Sequence, residues 1–182
     1  MPLNPNKGDF SLNEVHETSR GGEHVLIRRA QSEDVVLYRD FLADVNAEDL
    51  RLRFFGRIAE LTAAEADKIS HLDYGHDMAF IAIDEGTGRM LGLVRLKDEL
   101  DEKTAEFAIL VRSHLKGHGI GWLLMQRVID YAKEKHLRRV YGDVLVENAT
   151  MLQMCGELGF RTLDMGSEFT RVVLDLENTG GC

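Results

Sequence analysis

Ala105-Glu106-Phe107-Ala108-Ile109-Leu110-Val111-Arg112-Ser113-His114-Leu115-Lys116-Gly117-His118-Gly119-Ile120-Gly121-Trp122-Leu123-Leu124 is the stretch from which the rest of the chain is read. Its first third is apolar apart from Glu106 and reads as a strand. Its last third places Ile120, Leu123 and Leu124 at helical spacing. Between them Gly117, Gly119 and Gly121 stud a short turn. Backbone N–H groups at a helix start lack intrahelical partners, so the turn is suited to hold an anion, and glycines let a bulky ligand approach the main chain. A Walker loop is excluded because Trp122, not a lysine, follows the last glycine. A dinucleotide fingerprint is excluded because the spacing is Gly-x-Gly-x-Gly and the turn lies several strands into the chain. What remains is an anion cradle and one isolated carboxylate on a single strand-turn-helix unit.

Composition narrows the setting. A chain of 182 residues with 44% hydrophobic residues is long enough to bury one sizeable core. The formal net charge of −9 disfavours nucleic-acid phosphates and suits a cationic partner such as a lysine side chain or an amine. No apolar run reaches the ~18 residues of a membrane span, and the N-terminus has no apolar signal core. The two cysteines, Cys155 and Cys182, make no disulfide framework, and a reducing cytoplasm is the expected compartment. His71 and His76 are five apart, not the three or four of helical metal ligands, so no metal site is expected.

Taken in order, residues 1–22 are polar and read as a loose N-terminal arm, with a short strand near Val15. His24–Arg29 is a strand candidate. A helix follows from Ser32 to about Val45, and a second from Ala47 to Phe55, stopped by Gly56. Thr62-Ala63-Ala64-Glu65 matches a capping box and predicts a third helix starting there. Asp77–Asp84 and Met90–Lys97 read as a hairpin around Gly86 and Gly88. After the opening stretch come a strand over Arg139–Val146, a helix opened by Asn148 and closed by Gly159, and two last strands at Arg161–Met165 and Phe169–Leu176. The order predicts an α+β (mixed α/β) domain over residues 23–176 around one sheet, with a frayed tail at 177–182.

The residues now carry a resemblance. Lys116-Gly117-His118-Gly119-Ile120-Gly121 resembles the pyrophosphate loop of the GNAT superfamily of acyl-CoA-dependent N-acyltransferases, with pattern Gln/Arg-x-x-Gly-x-Gly/Ala. Asn148 and Leu158-Gly159-Phe160 stand where that family has its downstream Asn and Leu-Gly-Phe. Arg51-Leu52-Arg53-Phe54-Phe55, Leu72-Asp73-Tyr74, Ala105-Glu106-Phe107-Ala108 and Val146-Glu147-Asn148 are similar to the acetyltransferase domain of bacterial protein lysine acetyltransferases. Those enzymes modify a lysine of acyl-CoA synthetases. The resemblance implies a mostly antiparallel sheet of six to seven strands flanked by helices, with splayed fourth and fifth strands.

It also implies roles. Acetyl-CoA is the acyl donor, with no metal. Main-chain groups of Ile109, Leu110 and Val111 would align its pantetheine arm, Lys116, Gly117, His118, Gly119, Ile120 and Gly121 would hold the pyrophosphate, and Asn148 would contact the arm. Glu106 would be the general base for the incoming amine. Two positions depart from the family: lysine replaces Gln or Arg at 116, and Cys155 stands where many members have a tyrosine that protonates the departing thiolate. A small buried hydrophobe is the reading of Cys155 that its type favours. Three functions are compatible with these residues: transfer to a protein lysine of an acyl-CoA synthetase, transfer to a small amine, and a non-catalytic acyl-CoA-binding regulatory module.

Overall fold

The computed structural model describes residues 14–71, 76–101, 103–166 and 168–176. Its strands are β1 (Val15–Thr18), β2 (His24–Arg29), β3 (Asp77–Asp84), β4 (Met90–Asp98), β5 (Thr104–Val111), β6 (Arg139–Leu145), β7 (Arg161–Asp164) and β8 (Phe169–Asp175). Its helices are α1 (Val35–Ala43), α2 (Ala47–Phe54), α3 (Ile58–Ser70), α4 (Ile120–Glu134) and α5 (Ala149–Glu157). The strands make one sheet in the order β1-β2-β3-β4-β5-β6-β8-β7, antiparallel everywhere except between β5 and β6.

Helices on both faces explain why β3 reads as an unbroken apolar run. Its Met78, Phe80 and Ala82 join Ile120, Leu124 and Val128 of α4 on one face. Its Ala79, Ile81 and Ile83 join Tyr38 and Phe41 of α1, Phe54 of α2 and Ile69 of α3 on the other. The period of two thus divides one strand between two cores.

Two expectations change. The sheet has eight strands, not six to seven; one of them, β1, is the short strand expected near Val15, and it pairs with β2 from Val15↔Ile27 to Thr18↔His24. The third helix begins at Ile58, a turn ahead of Thr62, whose hydroxyl donates back to the Ile58 carbonyl at 2.7 Å and caps nothing. Packing of Ile58 and Leu61 against the α1–α3 core overrides the local capping signal. Leu72-Asp73-Tyr74 and the tail 177–182 lie outside the described residues.

The splay is present, between the fifth and sixth strands and not the fourth and fifth, because β1 adds one strand to the count. β5 and β6 pair only at Thr104↔Arg139, Ala105↔Val140 and Glu106↔Tyr141. The next residues on the two strands are Phe107 and Gly142, and a Cβ on Gly142 would fall 2.6 Å from the Phe107 ring. That ring stacks edge-on against Phe160 at 5.5 Å. Aromatic bulk therefore stands where the parallel ladder stops, and beyond it the strands diverge around a cleft.

Candidate active site

The cleft is built from five pieces of chain: β5, the glycine turn with the start of α4, the end of β6 with α5, α2, and the β1–β2 connection at Arg20. Glu106, Ile109, Leu110, Val111, Lys116, Gly117, Gly119, Gly121 and Asn148 all line it. Two expected residues have their side chains turned away. His118 has its ring Nδ1 2.6 Å from Glu23, and its N–H donates to the Leu115 carbonyl at 3.1 Å, so neither group is available to a phosphate. The Ile120 side chain is fully buried in the core.

At the glycine turn the geometry is mostly main chain. Gly117 and Gly119 take φ of 83° and 90°, left-handed values that L side chains rarely adopt. The first α4 ladder bond runs from the Leu123 N–H to the Gly119 carbonyl at 3.1 Å. The N–H groups of Ile120, Gly121 and Trp122 precede that bond and project from the helix start, where the dipole also favours an anion. This is a cradle of the kind a pyrophosphate fits.

Along β5 the ladder parity decides which peptide groups face the cleft. The Arg112 N–H bonds the Leu91 carbonyl at 2.8 Å, and the register with β4 is unbroken from Gly92↔Val111 to Asp98↔Ala105. Alternation then turns the peptide groups of Ile109 and Val111 toward the cleft, beyond the last β5–β6 pair at Glu106↔Tyr141. Those of Leu110 belong to the ladder with Leu93, so Leu110 contributes its side-chain face and not the main-chain bonds expected of it. Asn148 caps α5, its Oδ1 accepting from the Met151 N–H at 3.3 Å, which leaves its amide NH2 for the cleft.

Glu106 stands at the point of divergence. It is half-buried, and its carboxyl is pushed above the usual range by burial first, then by the negative charges of Asp143 and Glu99; Lys97 and Arg171 oppose the shift. Asp143 is itself held by Arg171 through two bonds of 2.7 and 2.9 Å. The Tyr141 hydroxyl donates to Glu99, and burial together with that bond pushes its pKa up. Asp143 carried no local signal in the sequence; only the register of β6 with β5 and β8 places it beside Glu106.

One wall of the cleft is α2. Asn46 caps it by accepting from the Asp49 N–H at 2.8 Å, and Phe55 ends it at φ 53°, a left-handed value uncommon for an aromatic residue. Its side chains reach three neighbours. Lys116 donates to Asp49, Arg51 bridges to Glu147 at 2.7 Å, and the Phe55 ring meets Phe169 edge-on at 5.1 Å. Behind it Arg53 bonds the buried Glu65, which also accepts from the Tyr38 hydroxyl at 2.7 Å. The Arg51–Phe55 motif is thus a wall held from both sides.

Cys155 is completely buried in the α4–α5 core, and burial pushes its thiol up to about 12. It fills space there. Among the described residues no group of three or more His, Cys, Asp or Glu is placed to hold a metal, and no helix is long and apolar enough to cross a membrane.

Comparisons with known proteins agree with this geometry. The sequence profile of the acetyltransferase (GNAT) family matches residues 45–160. An acetyltransferase of Pseudomonas aeruginosa is 32% identical over 146 residues, which cover 79% of this chain and 78% of that protein. The GNAT domain of S. lividans PAT superposes with a TM-score of 0.81 at 23% identity, covering 90% of this chain and 97% of the other. Spermidine N-acetyltransferase from Vibrio cholerae, solved in complex with CoA and spermine, gives 0.67 at 21% identity, covering 83% and 95%.

Proposed function

The chain belongs to the acetyltransferase (GNAT) family, and on that premise we propose that it transfers an acetyl group from acetyl-CoA to the ε-amino group of a protein lysine on an acyl-CoA synthetase. The observation that carries the catalytic part is Glu106: a half-buried carboxylate at the divergence of β5 and β6, on the wall of the same cleft as the glycine cradle. The protein acceptor is supported by the motifs shared with bacterial protein lysine acetyltransferases and by the likeness to the S. lividans PAT domain. The two cysteines, one of them a buried free thiol, suit a reducing cytoplasm.

Acetyl-CoA supplies the acetyl thioester. Main-chain groups of Ile109 and Val111 align the donor arm, the N–H groups of Ile120, Gly121 and Trp122 hold the pyrophosphate, with Lys116 at its edge, and the Asn148 amide adds a contact. A lysine amine has a pKa near ~10.4 and arrives protonated, so it cannot attack until that proton is removed. Glu106 takes the proton, directly or through water, and its raised pKa brings it closer to that task than an ordinary carboxylate. A cleft-facing β5 N–H stabilises the charge that develops on the carbonyl oxygen. The carbon–sulfur bond then breaks and CoA departs with the electron pair. Cys155, buried and with its pKa raised, supplies no proton to that thiolate from the position where many relatives have a tyrosine.

A second reading, acetylation of a small polyamine, has its own observation. Glu99, Glu106 and Asp143 gather negative charge at the acceptor end of the cleft, and the V. cholerae neighbour was solved with spermine. Incubating the protein with acetyl-CoA and either an acyl-CoA synthetase or spermidine, followed by intact mass of the products, separates the two. Addition of one acetyl mass to the synthetase, lost with Glu106→Gln, is expected. Acetylation of spermidine alone would replace the first reading with the second. Binding of acetyl-CoA without acetylation of either acceptor would favour a regulatory module.

A further inference from the structure

The segment joining β1 to β2 is folded onto the glycine turn. The Gly21 N–H donates to the His118 carbonyl at 2.9 Å, and Glu23 meets the His118 ring at 2.6 Å while bonding the Ser19 hydroxyl. Those two bonds hold the Glu23 carboxyl below its usual range, the Ser19 hydroxyl having the larger effect. The approach is close: a Cβ on Gly119 would fall 3.2 Å from both the main-chain nitrogen and the Cβ of Arg20. Arg20 therefore enters the cleft wall beside Gly117 and Gly119. Its Nη2 reaches the Gly117 carbonyl at 3.4 Å, a long bond that leaves most of its donors unused.

The cations of the cleft wall are Arg20, Arg53 and Lys116, and two of them are engaged. Arg53 is bound to Glu65. Lys116, at the motif position that resembles the family's Gln or Arg, is bound to the buried Asp49. Among the described residues no carboxylate pairs with Arg20. A chain of net charge −9 repels a polyanionic cofactor at long range, so an uncompensated guanidinium at the cradle has a large local effect. A planar fork of N–H donors also matches two phosphate oxygens in a way an ammonium does not.

We propose that Arg20, supplied from outside the glycine motif, is a phosphate-binding residue of this cleft that grips the pyrophosphate of the cofactor. Lys116 serves chiefly to tie the turn to α2 through Asp49. The proposal rests on the acyl-CoA reading of the cleft.

Trp122, the one tryptophan of the chain, lines the same cleft and reports occupancy by its fluorescence. The full chain and its Arg20→Ala, Arg20→Lys and Lys116→Ala variants are titrated with CoA, dephospho-CoA and pantetheine. Arg20→Ala should weaken CoA and dephospho-CoA alike by about tenfold, the size of one exposed charge-assisted contact, with pantetheine unchanged. Arg20→Lys should recover part of the loss, and Lys116→Ala should weaken CoA less than Arg20→Ala does. Equal CoA affinity in Arg20→Ala and wild type would overturn the proposal while leaving the acyl-CoA reading intact. A loss confined to CoA would assign Arg20 to the ribose phosphate and overturn the pyrophosphate assignment. A loss that extends equally to pantetheine would show damage to the cleft and also overturn it. Wild-type protein that binds none of the three would sink the acyl-CoA reading and this proposal with it.

Discussion

The two faces of the sheet solve their packing problem in different ways. The face under α4 and α5 is almost wholly apolar: Phe80, Leu124, Val128 and Val140 are all completely buried. Its functional parts are peptide groups and glycines. The face under α1–α3 has an apolar core too, but ion pairs between distant segments thread it. Glu65 of α3 joins Tyr38 of α1 and Arg53 of α2, and the fully buried Arg112 joins Asp40 and Asp44 at α1 to the Met90 carbonyl of β4. Glu106, Asp143, Arg171, Tyr141 and Glu99 continue that pattern to the mouth of the cleft. On the reading proposed above, the donor half of the cleft is arranged by backbone conformation and the acceptor half by charge. A pyrophosphate suits the first, and an ammonium that must lose a proton suits the second.

The largest expected effect tests the charged side at its centre. Glu106→Gln keeps the shape and removes the base, so kcat should fall by roughly 10²–10³ while acetyl-CoA affinity, measured by titration, stays near wild type. Retained turnover would remove Glu106 from the mechanism. Glu65→Ala leaves the Tyr38 hydroxyl and the Arg53 guanidinium without their buried partner and should cost about 3 kcal/mol in urea unfolding. Leu124→Ala on the apolar face should cost a similar ~3 kcal/mol through a cavity alone. Salt separates them: added salt should change the stability of the Glu65 variant relative to wild type and leave the Leu124 difference alone. Gly142→Ala forces a methyl against the Phe107 ring and should cost about 1–3 kcal/mol, with acetyl-CoA affinity falling as the divergence of β5 and β6 is disturbed.

The smallest effect concerns pH. As the proposed base Glu106 would act only when ionised, and its raised pKa would place the acid limb of kcat/KM above the usual glutamate range, activity rising with pH through that limb. Asp143→Asn removes a like charge and frees Arg171 to act on Glu106. Both changes lower the pKa of Glu106, so the limb should move to lower pH in the variant's rate profile. An unmoved limb would show that Asp143 does not act on the base.

Legibility followed the same division. The hairpin of β3 and β4, the amphipathic α4 and the Asn148 and Gly159 boundaries of α5 were readable because period, capping and glycine conformation are local properties. That Glu106, the glycine turn, Ile109 and Val111 line one cleft was readable through a motif that is itself one contiguous strand-turn-helix unit, while the ladder with Leu93 took the main chain of Leu110 out of it. Asp143, Asp49 and Arg20 were not, since each meets the cleft only through strand register or through a segment returning from elsewhere in the chain. The capping box at Thr62 misled because a helix end is decided by tertiary packing when both starts are locally acceptable. His118 misled because it sits inside the loop motif, yet its ring belongs to Glu23.

By itself, then, the sequence determined the alternation of elements, the two-faced burial of the central strands, the glycine turn at the head of α4 and the family. Those follow from side-chain period, glycine φ and the unpaired amides of a helix start, which involve residues close along the chain. Only the tertiary structure decided which carboxylates surround Glu106, which cation stands uncompensated at the cradle, and that Cys155 is sealed in the core. Those depend on strand order and on the desolvation of particular groups, and both are set by residues far apart in the chain.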